Sequence, residues 1–359
     1  MEFRAARKLE ARASSSPVKV LVTGASGFLG AHLCRQLDAR GFSVSALVRE
    51  TSSLSRLRGL SVDLVRGDIT DASAMSAAVR GFDFVINAAA VITYGTRDPA
   101  DFSRVNVSGA GNVARACHVA GVRRLVHVSS TSAVGIPREG EPPANEQFRF
   151  NLGDARLPYH VSKLRGEAAV AAEVGRGLDA VIVNPGWIFG PDGERYRGLQ
   201  MVQKVSGRKF IPFFRGGICT VHVDDVVDGI FLALTKAEKG TRFILGGENV
   251  SYRSIAERAR ARLGSSGYLV EVPAVATAIV STFASLKSRI TGAPTSMPWA
   301  THVTSGRKTF YDSGLAKRLL GYSPRDFDAI LDDMFRFAAE HGLLTRDQIA
   351  TAGTRSVTA

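Results

Sequence analysis

Tyr159 and Lys163 stand four residues apart in Tyr159-His160-Val161-Ser162-Lys163, the spacing that brings two side chains onto one face of a helix. A free phenol titrates near about 10, too high for a base at neutral pH. An ammonium about 4 Å away, at an effective dielectric of about 20, favours the phenolate by on the order of 4 kcal/mol, roughly three pKa units. The pair therefore reads as an acid/base couple. Upstream, the apolar run of RRLVHVSSTS ends in the hydroxyls of Ser129, Ser130 and Thr131. One of them is expected to hold a substrate oxygen, the alternative being a plain polar cap to a strand end. His127 reads as a packed or solvent-side residue and His222 as structural, and no metal-ligating constellation is visible.

A second pattern, Gly24-Ala25-Ser26-Gly27-Phe28-Leu29-Gly30, lies between the apolar run VKVLVT and the helical spacing of AHLCRQLDARG. Glycines there allow a tight turn, a close approach to a pyrophosphate and close packing of helix on strand, and the helix N-terminus adds N–H donors. Dinucleotide binding through Gly24, Ser26, Gly27, Phe28, Leu29 and Gly30 is the expectation. Arg49 ends the next apolar run, where an arginine accommodates a 2′-phosphate and a carboxylate would take the ribose hydroxyls. This favours NADP, with NAD left open by the adjacent Glu50. Asp68 and Ile69 in RGDITD are placed to flank the adenine, unless Asp68 is only a helix N-cap.

These residues need a frame to hold them. Apolar strands are expected at Val18 onward, Ser43–Val48, Val62–Asp68, Phe82–Ala90, Arg123–Ser130 and Leu178–Gly186, with helices at Val105–Ala120 and Ser162–Val174 among the connections. Buried strands alternating with helices mark a parallel sheet. The fold class is α/β, a Rossmann doubly wound parallel sheet with a smaller C-terminal substrate-binding lobe. The division is 17–190 for the dinucleotide-binding domain and 191–345 for a lobe interleaved with the main sheet, with helices near Leu199–Ser206, Asp224–Ala237 and Tyr252–Leu263 and strands at CTVHV and RFILGG.

The chain has 359 residues, 45% apolar and 22% charged, the balance of a globular protein. Its three cysteines, Cys34, Cys117 and Cys219, form no CxxC pair and point to a reducing compartment, the cytoplasm. The formal net charge of +13 is scattered in pairs such as Arg123-Arg124, Arg208-Lys209 and Lys317-Arg318. That pattern argues against a nucleic-acid partner. Residues 1–16 carry Arg4, Arg7, Lys8 and Arg12 without the apolar core of a secretory signal, and are expected to be a flexible basic extension, as 346–359 are a flexible tail.

Together TGASGFLG, VRGDITD, NAAA, RVNVSGAGNV, VSSTSAVG, YHVSK, NPGWIFGP, VHVDDVVDG and FILGGEN resemble the extended short-chain dehydrogenase/reductase superfamily, over Val18 to about Leu344. The chain is most similar to its dihydroflavonol-reductase-like and 3β-hydroxysteroid-dehydrogenase-like branch. The resemblance implies Tyr159 as proton donor or acceptor and Lys163 as ligand of the nicotinamide ribose. It implies Thr131 as the catalytic hydroxyl with Ser130 as the fallback, and Asn106 as support for a water or for helix geometry. Ala88, Ala89 and Ala90 would lie along the cofactor, with Pro185, Gly186 and Ile188 lining the nicotinamide. A homodimer joined through the Val105 and Ser162 helices is also implied.

Sugar epimerases resembling this chain show LRxxNVYGP and RDFIHVDD. Here Trp187 stands where the diphosphate-binding asparagine is expected, and Ile218-Cys219-Thr220-Val221-His222-Val223-Asp224-Asp225 lacks the arginine. The expected activity is hydride transfer between NADP(H) and a carbonyl or secondary alcohol of an apolar small molecule, with Trp187 and Thr131 facing it. Nucleotide-sugar epimerisation or dehydration is the rival. The uncharged stretch Val272–Leu286 repeats Val275, Ile279, Phe283 and Leu286 at helical steps, followed by Lys287 and Arg289. It is too short to span a bilayer. A buried or substrate-covering helix is expected, with peripheral membrane contact through 272–290 as the alternative.

Overall fold

A computed structural model describes residues 17–92, 99–153, 157–191, 208–291, 303–304 and 306–343. The expected basic extension, the helix at 199–206 and the tail at 346–359 lie outside them. The first strand, β1 (Lys19–Thr23), runs into the glycine turn and helix α1 (Phe28–Ala39), then β2 (Ser43–Val48), β3 (Asp63–Arg66), α2 (Ala72–Ala78) and β4 (Phe84–Asn87). A π-wound segment, Phe102–Gly109, leads into α3 (Ala110–Ala120), followed by β5 (Arg124–Val128), α4 (Pro158–Gly175) and β6 (Ala180–Pro185).

Beyond β6 come β7 (Trp187–Phe189), β8 (Phe210–Phe214), β9 (Gly217–His222), α5 (Val223–Lys236) and β10 (Arg242–Leu245). They are followed by β11 (Asn249–Ser251), α6 (Tyr252–Arg262), β12 (Tyr268–Val272), α7 (Ala274–Thr291), β13 (Lys308–Thr309), α8 (Gly314–Leu320) and α9 (Phe327–Glu340).

Seven parallel strands form the main sheet in the order β3-β2-β1-β4-β5-β6-β10. The order reverses at β1, so the crevice between the carboxyl ends of β1 and β4 is the topological switch point where doubly wound sheets bind ligands. Apart from the edge strand β3, the strands are largely buried on both faces, as their unbroken apolar runs require. Val20, Val22, Ile86, Val126 and Val183 pack with α1, α5 and α8, while Leu21, Val85, Leu125 and Ile182 face α2, α3 and α4. The expected doubly wound parallel sheet is observed, with β10 as the edge strand beside β6.

The smaller lobe holds β7, β9, β11 and β13 around β9, and a separate β8–β12 pair. Its core joins Phe189, Ile218 and Val250 to α6 and to Phe327, Ile330 and Leu331 of α9. Several elements differ from expectation. The third strand is a short edge strand, exposed along much of its length. The helix expected from Ser162 begins at Pro158, whose ring suits the first helical position and whose missing N–H costs nothing there. The residues from Phe102 to Gly109 are π-wound, a departure that inserts a residue into a helix without breaking it.

Candidate active site

The glycine turn is built for close contact. Gly24 has φ of +67°, and a β-carbon on it would lie 2.7 Å from the Ala89 nitrogen; one on Gly30 would lie 2.1 Å from the Gly24 carbonyl oxygen. Side chains there would force β1, β4 and α1 apart. Gly27 caps α1 in an extended conformation with no side-chain cap hydrogen bond, so no capping side chain covers the N-terminus of the helix. That N-terminus and the glycine cradle fit a dinucleotide pyrophosphate.

A buried polar chain ties the ends of β1, β4 and β5 together. Thr23 Oγ1 donates to Asn87 Oδ1 at 2.6 Å, and Asn87 Nδ2 donates to His127 Nδ1 at 3.2 Å. The Ala89 N–H donates to Thr23 Oγ1 at 3.3 Å, holding the Ala88–Ala90 turn beside Gly24. His127 is packed rather than solvent-facing, and burial, then the nearby Lys163 charge, pull its pKa down to about 3. It is neutral at physiological pH.

Tyr159 sits on the first turn of α4 and Lys163 one turn later. Lys163 is buried and its Nζ donates to the Val128 carbonyl at the end of β5, 3.0 Å away. Burial lowers its pKa to about 8, partly opposed by Glu167. The phenol of Tyr159 is shifted up by burial and only partly pulled back by a hydrogen bond with Ser130. The expected depression of the phenol by Lys163 is thus not what the structure carries. The ammonium meets a backbone carbonyl, and desolvation is the largest influence on the phenol.

The two candidate hydroxyls are separated by their partners. Ser130 faces Tyr159 and accepts the Ser132 N–H at 3.1 Å. Thr131, buried in the short 3-10 turn Thr131–Ala133, meets Tyr311, whose hydroxyl donates to the Gly135 carbonyl at 2.8 Å. Ser130, the fallback of the sequence reading, is the hydroxyl that the fold brings to the phenol. Ser129 is buried, and its hydroxyl finds no partner among the described residues.

Asn106 lies in the π-wound segment with its amide fully engaged. Its Oδ1 accepts the Val91 N–H at 2.8 Å, and its Nδ2 donates to the Val91 carbonyl at 3.0 Å and to Ser162 Oγ at 2.9 Å; Ser162 Oγ in turn donates to the Tyr159 carbonyl at 2.8 Å. Of the two roles implied for it, helix geometry is the one visible.

A second network escaped the sequence reading. Asn184, in β6, donates through Nδ2 to the Ser130 carbonyl at 2.8 Å and to Glu167 Oε1 at 2.6 Å. Glu167 Oε2 takes Arg242 Nη1 at 3.2 Å, and Arg242 Nη2 bonds the Glu146 carbonyl. The signal was present: an asparagine inside the apolar run AVIVNP must be satisfied if buried, and Glu167 stands four residues beyond Lys163.

Around the rest of the cleft, Asp68 Oδ1 accepts the Thr70 N–H and hydroxyl, both at 2.9 Å, while Asp71, not Asp68, caps the following helix. The Ile69 carbonyl is held by Asn112 Nδ2 at 2.9 Å. Arg49 is exposed beyond β2, and Glu50 lies 3.8 Å from Arg66. Pro185 ends β6. Gly186 passes so close to β9 that a β-carbon would sit 2.7 Å from the Cys219 carbonyl oxygen, and Ile188 is half-buried behind it. Trp187 is 49% exposed. His222 is structural, accepting the Asp224 N–H at 3.1 Å and meeting Asp333 at 3.0 Å.

A family model described as the NAD dependent epimerase/dehydratase family matches residues 20–246. The chain belongs to this family. Among relatives, sterol demethylase protein B of Methylococcus capsulatus is 36% identical over 241 residues, covering 66% of this chain and 72% of that one. Dihydroflavonol 4-reductase of Zea mays is 28% identical over 264 residues, covering 68% and 74%. The crystal structure of gox2253 superposes with a TM-score of 0.78 at 30% identity, covering 92% of this chain and all of that one. Within this epimerase/dehydratase family the chain is an NAD(P)-dependent oxidoreductase of the extended short-chain type.

Proposed function

We propose that this family member transfers a hydride between NADP(H) and the carbonyl or secondary alcohol of an apolar small molecule. The observation that carries the reading is the Tyr159 phenol, hydrogen-bonded with Ser130 and one turn from buried Lys163, at the end of β5 next to the switch point. The bound dihydronicotinamide would supply the hydride from C4. Tyr159 delivers the proton to the substrate oxygen, a task suited to a phenol whose pKa is held up by burial, and Ser130 orients that oxygen. As the proton leaves, Lys163 and the Ser130 hydroxyl stabilise the phenolate that forms. Hydride and proton together convert the carbonyl to the alcohol, and the reverse follows for oxidation.

Arg49, exposed at the end of β2, supports NADP as the cofactor, since its guanidinium can meet a 2′-phosphate while Glu50 faces Arg66. The exposed indole of Trp187 supports an apolar substrate, as do a sterol and a dihydroflavonol in the names of the relatives. The family's description also fits the rival, epimerisation or dehydration of a nucleotide sugar, which returns the hydride within one turnover. Assay of ketones, steroids, flavonoids and nucleotide sugars with NADPH and NADH separates the two. Net NADPH consumption with an apolar ketone, exceeding that with NADH, is expected. Conversion of a nucleotide sugar without net consumption overturns the proposal.

A further inference from the structure

Helix α7 is built inside out. Thr277 and Ser281, small and polar, are 3% and 0% exposed, whereas Val275, Phe283 and Ile290 are 70%, 69% and 77% exposed, and Ile279 and Leu286 lie about half open beside them. At about 100° per residue, Val275, Leu286, Ile279, Ile290 and Phe283 fall within an arc of roughly 80°, and Thr277 and Ser281 lie on the opposite side. A surface helix of a water-facing protein buries its apolar arc and shows its polar one. Of the expected buried or substrate-covering helix, the buried reading is overturned, because the apolar stripe faces outward.

Exposed apolar residues also lie on the preceding strand and its partner. β12 ends at Val272, with Pro273 alone between it and α7, and pairs with β8 so that Tyr268 stands opposite Phe210 and Val270 opposite Pro212. Phe210, Pro212, Tyr268 and Val270 are all exposed, while Ile211 between them is buried. Arg208, Lys209 and Lys287 are exposed on the same segments, with Glu271 as the acidic group among them. Lys209 Nζ lies 5.8 Å from the centre of the Phe210 ring. No helix among the described residues is long and apolar enough to cross a membrane.

We infer that α7 and the β8–β12 ribbon form a surface that docks the protein onto an anionic lipid bilayer, the stripe entering the acyl boundary and Arg208, Lys209 and Lys287 meeting lipid headgroups. Exposed large apolar residues gathered on one helix arc mark a surface that is covered in use. Two occupants would cover this one, a bilayer or a second copy of the chain. The formal charge of +13 attracts an anionic bilayer and repels a second copy that carries the same charge. A peripheral helix of this kind binds through buried apolar area plus attraction to anionic lipid. The inference is independent of the proposed reaction, because docking is read without turnover.

The test is flotation of the full chain with vesicles of phosphatidylcholine, alone or mixed with phosphatidylglycerol, at low and high salt, alongside its sedimentation without lipid. Binding to the mixed vesicles is expected to exceed binding to phosphatidylcholine by roughly tenfold or more and to fall with salt. The triple variant Ile279→Ser, Phe283→Ser, Leu286→Ser is expected to lose that binding by roughly tenfold or more while its Tm and NADPH affinity stay at the parent values. Val119→Ser, which alters an exposed apolar residue of α3, is expected to leave binding unchanged. Absence of parent binding to the mixed vesicles overturns the inference, whether or not the variant folds. So does a parent dimer that the triple variant dissociates.

Discussion

Glu167 acts on the site through its neighbours. Its carboxylate takes the Asn184 amide, which also holds the Ser130 carbonyl, and its charge opposes the desolvation that lowers the Lys163 pKa to about 8. His127, whose pKa burial holds down to about 3, adds no charge beside Lys163. If the ammonium is the active form, activity is full below the Lys163 pKa and declines as pH rises through it. In Glu167→Gln the amide oxygen still accepts from Asn184, but the negative charge is gone, so the Lys163 pKa falls further. The alkaline limb of kcat/KM is then expected to move to lower pH with little change in KM, read from a pH–rate profile; an unmoved limb would assign Glu167 to packing alone. At this scale the glycines and the Tyr159/Lys163 pair were legible because their spacing is local. The choice between Ser130 and Thr131 was not. It depends on Tyr311, far along the chain, whose hydroxyl engages Thr131 and the Gly135 carbonyl.

Among the elements, the contact of α4 with the π-wound segment carries the most consequence for the site. Gly166 lets the two backbones touch, since a β-carbon there would lie 2.3 Å from the Asn106 carbonyl oxygen. The same approach allows Asn106 to reach Ser162, and Ser162 to reach the Tyr159 carbonyl. Gly166→Ala must push the segments apart, and overpacking of this kind costs about 1–3 kcal/mol. Denaturant unfolding is expected to show that loss, and kcat is expected to fall with it. Full stability and activity would mean that the two segments separate freely. The strands and helices were readable from their apolar period, but π-winding leaves no mark in hydrophobic spacing. The start of α4 was placed late because Pro158 and Tyr159 precede its regular pattern.

For the whole molecule, the order of the main sheet sets β1, β4 and β5 side by side. That order brings Gly24, Asn87 and the Ser129–Thr131 turn to one crevice. Alternation of apolar strands with helices was enough to foresee this doubly wound sheet, because each strand must be covered on both faces. The orientation of α7 was not foreseeable in the same way, since the period of its apolar residues gives a stripe but not the side on which the rest of the protein lies. Tyr311, far along the chain, engages Thr131 and the Gly135 carbonyl, so the turn after β5 depends on residues from both parts of the chain. The central claim, that the Tyr159 phenol passes the proton at this crevice, is tested most directly by Tyr159→Phe, with kcat and NADPH affinity measured on the same preparation. Loss of a general acid is expected to lower kcat by about 10²–10⁴-fold with NADPH affinity nearly unchanged, whereas turnover at the parent rate would contradict the account.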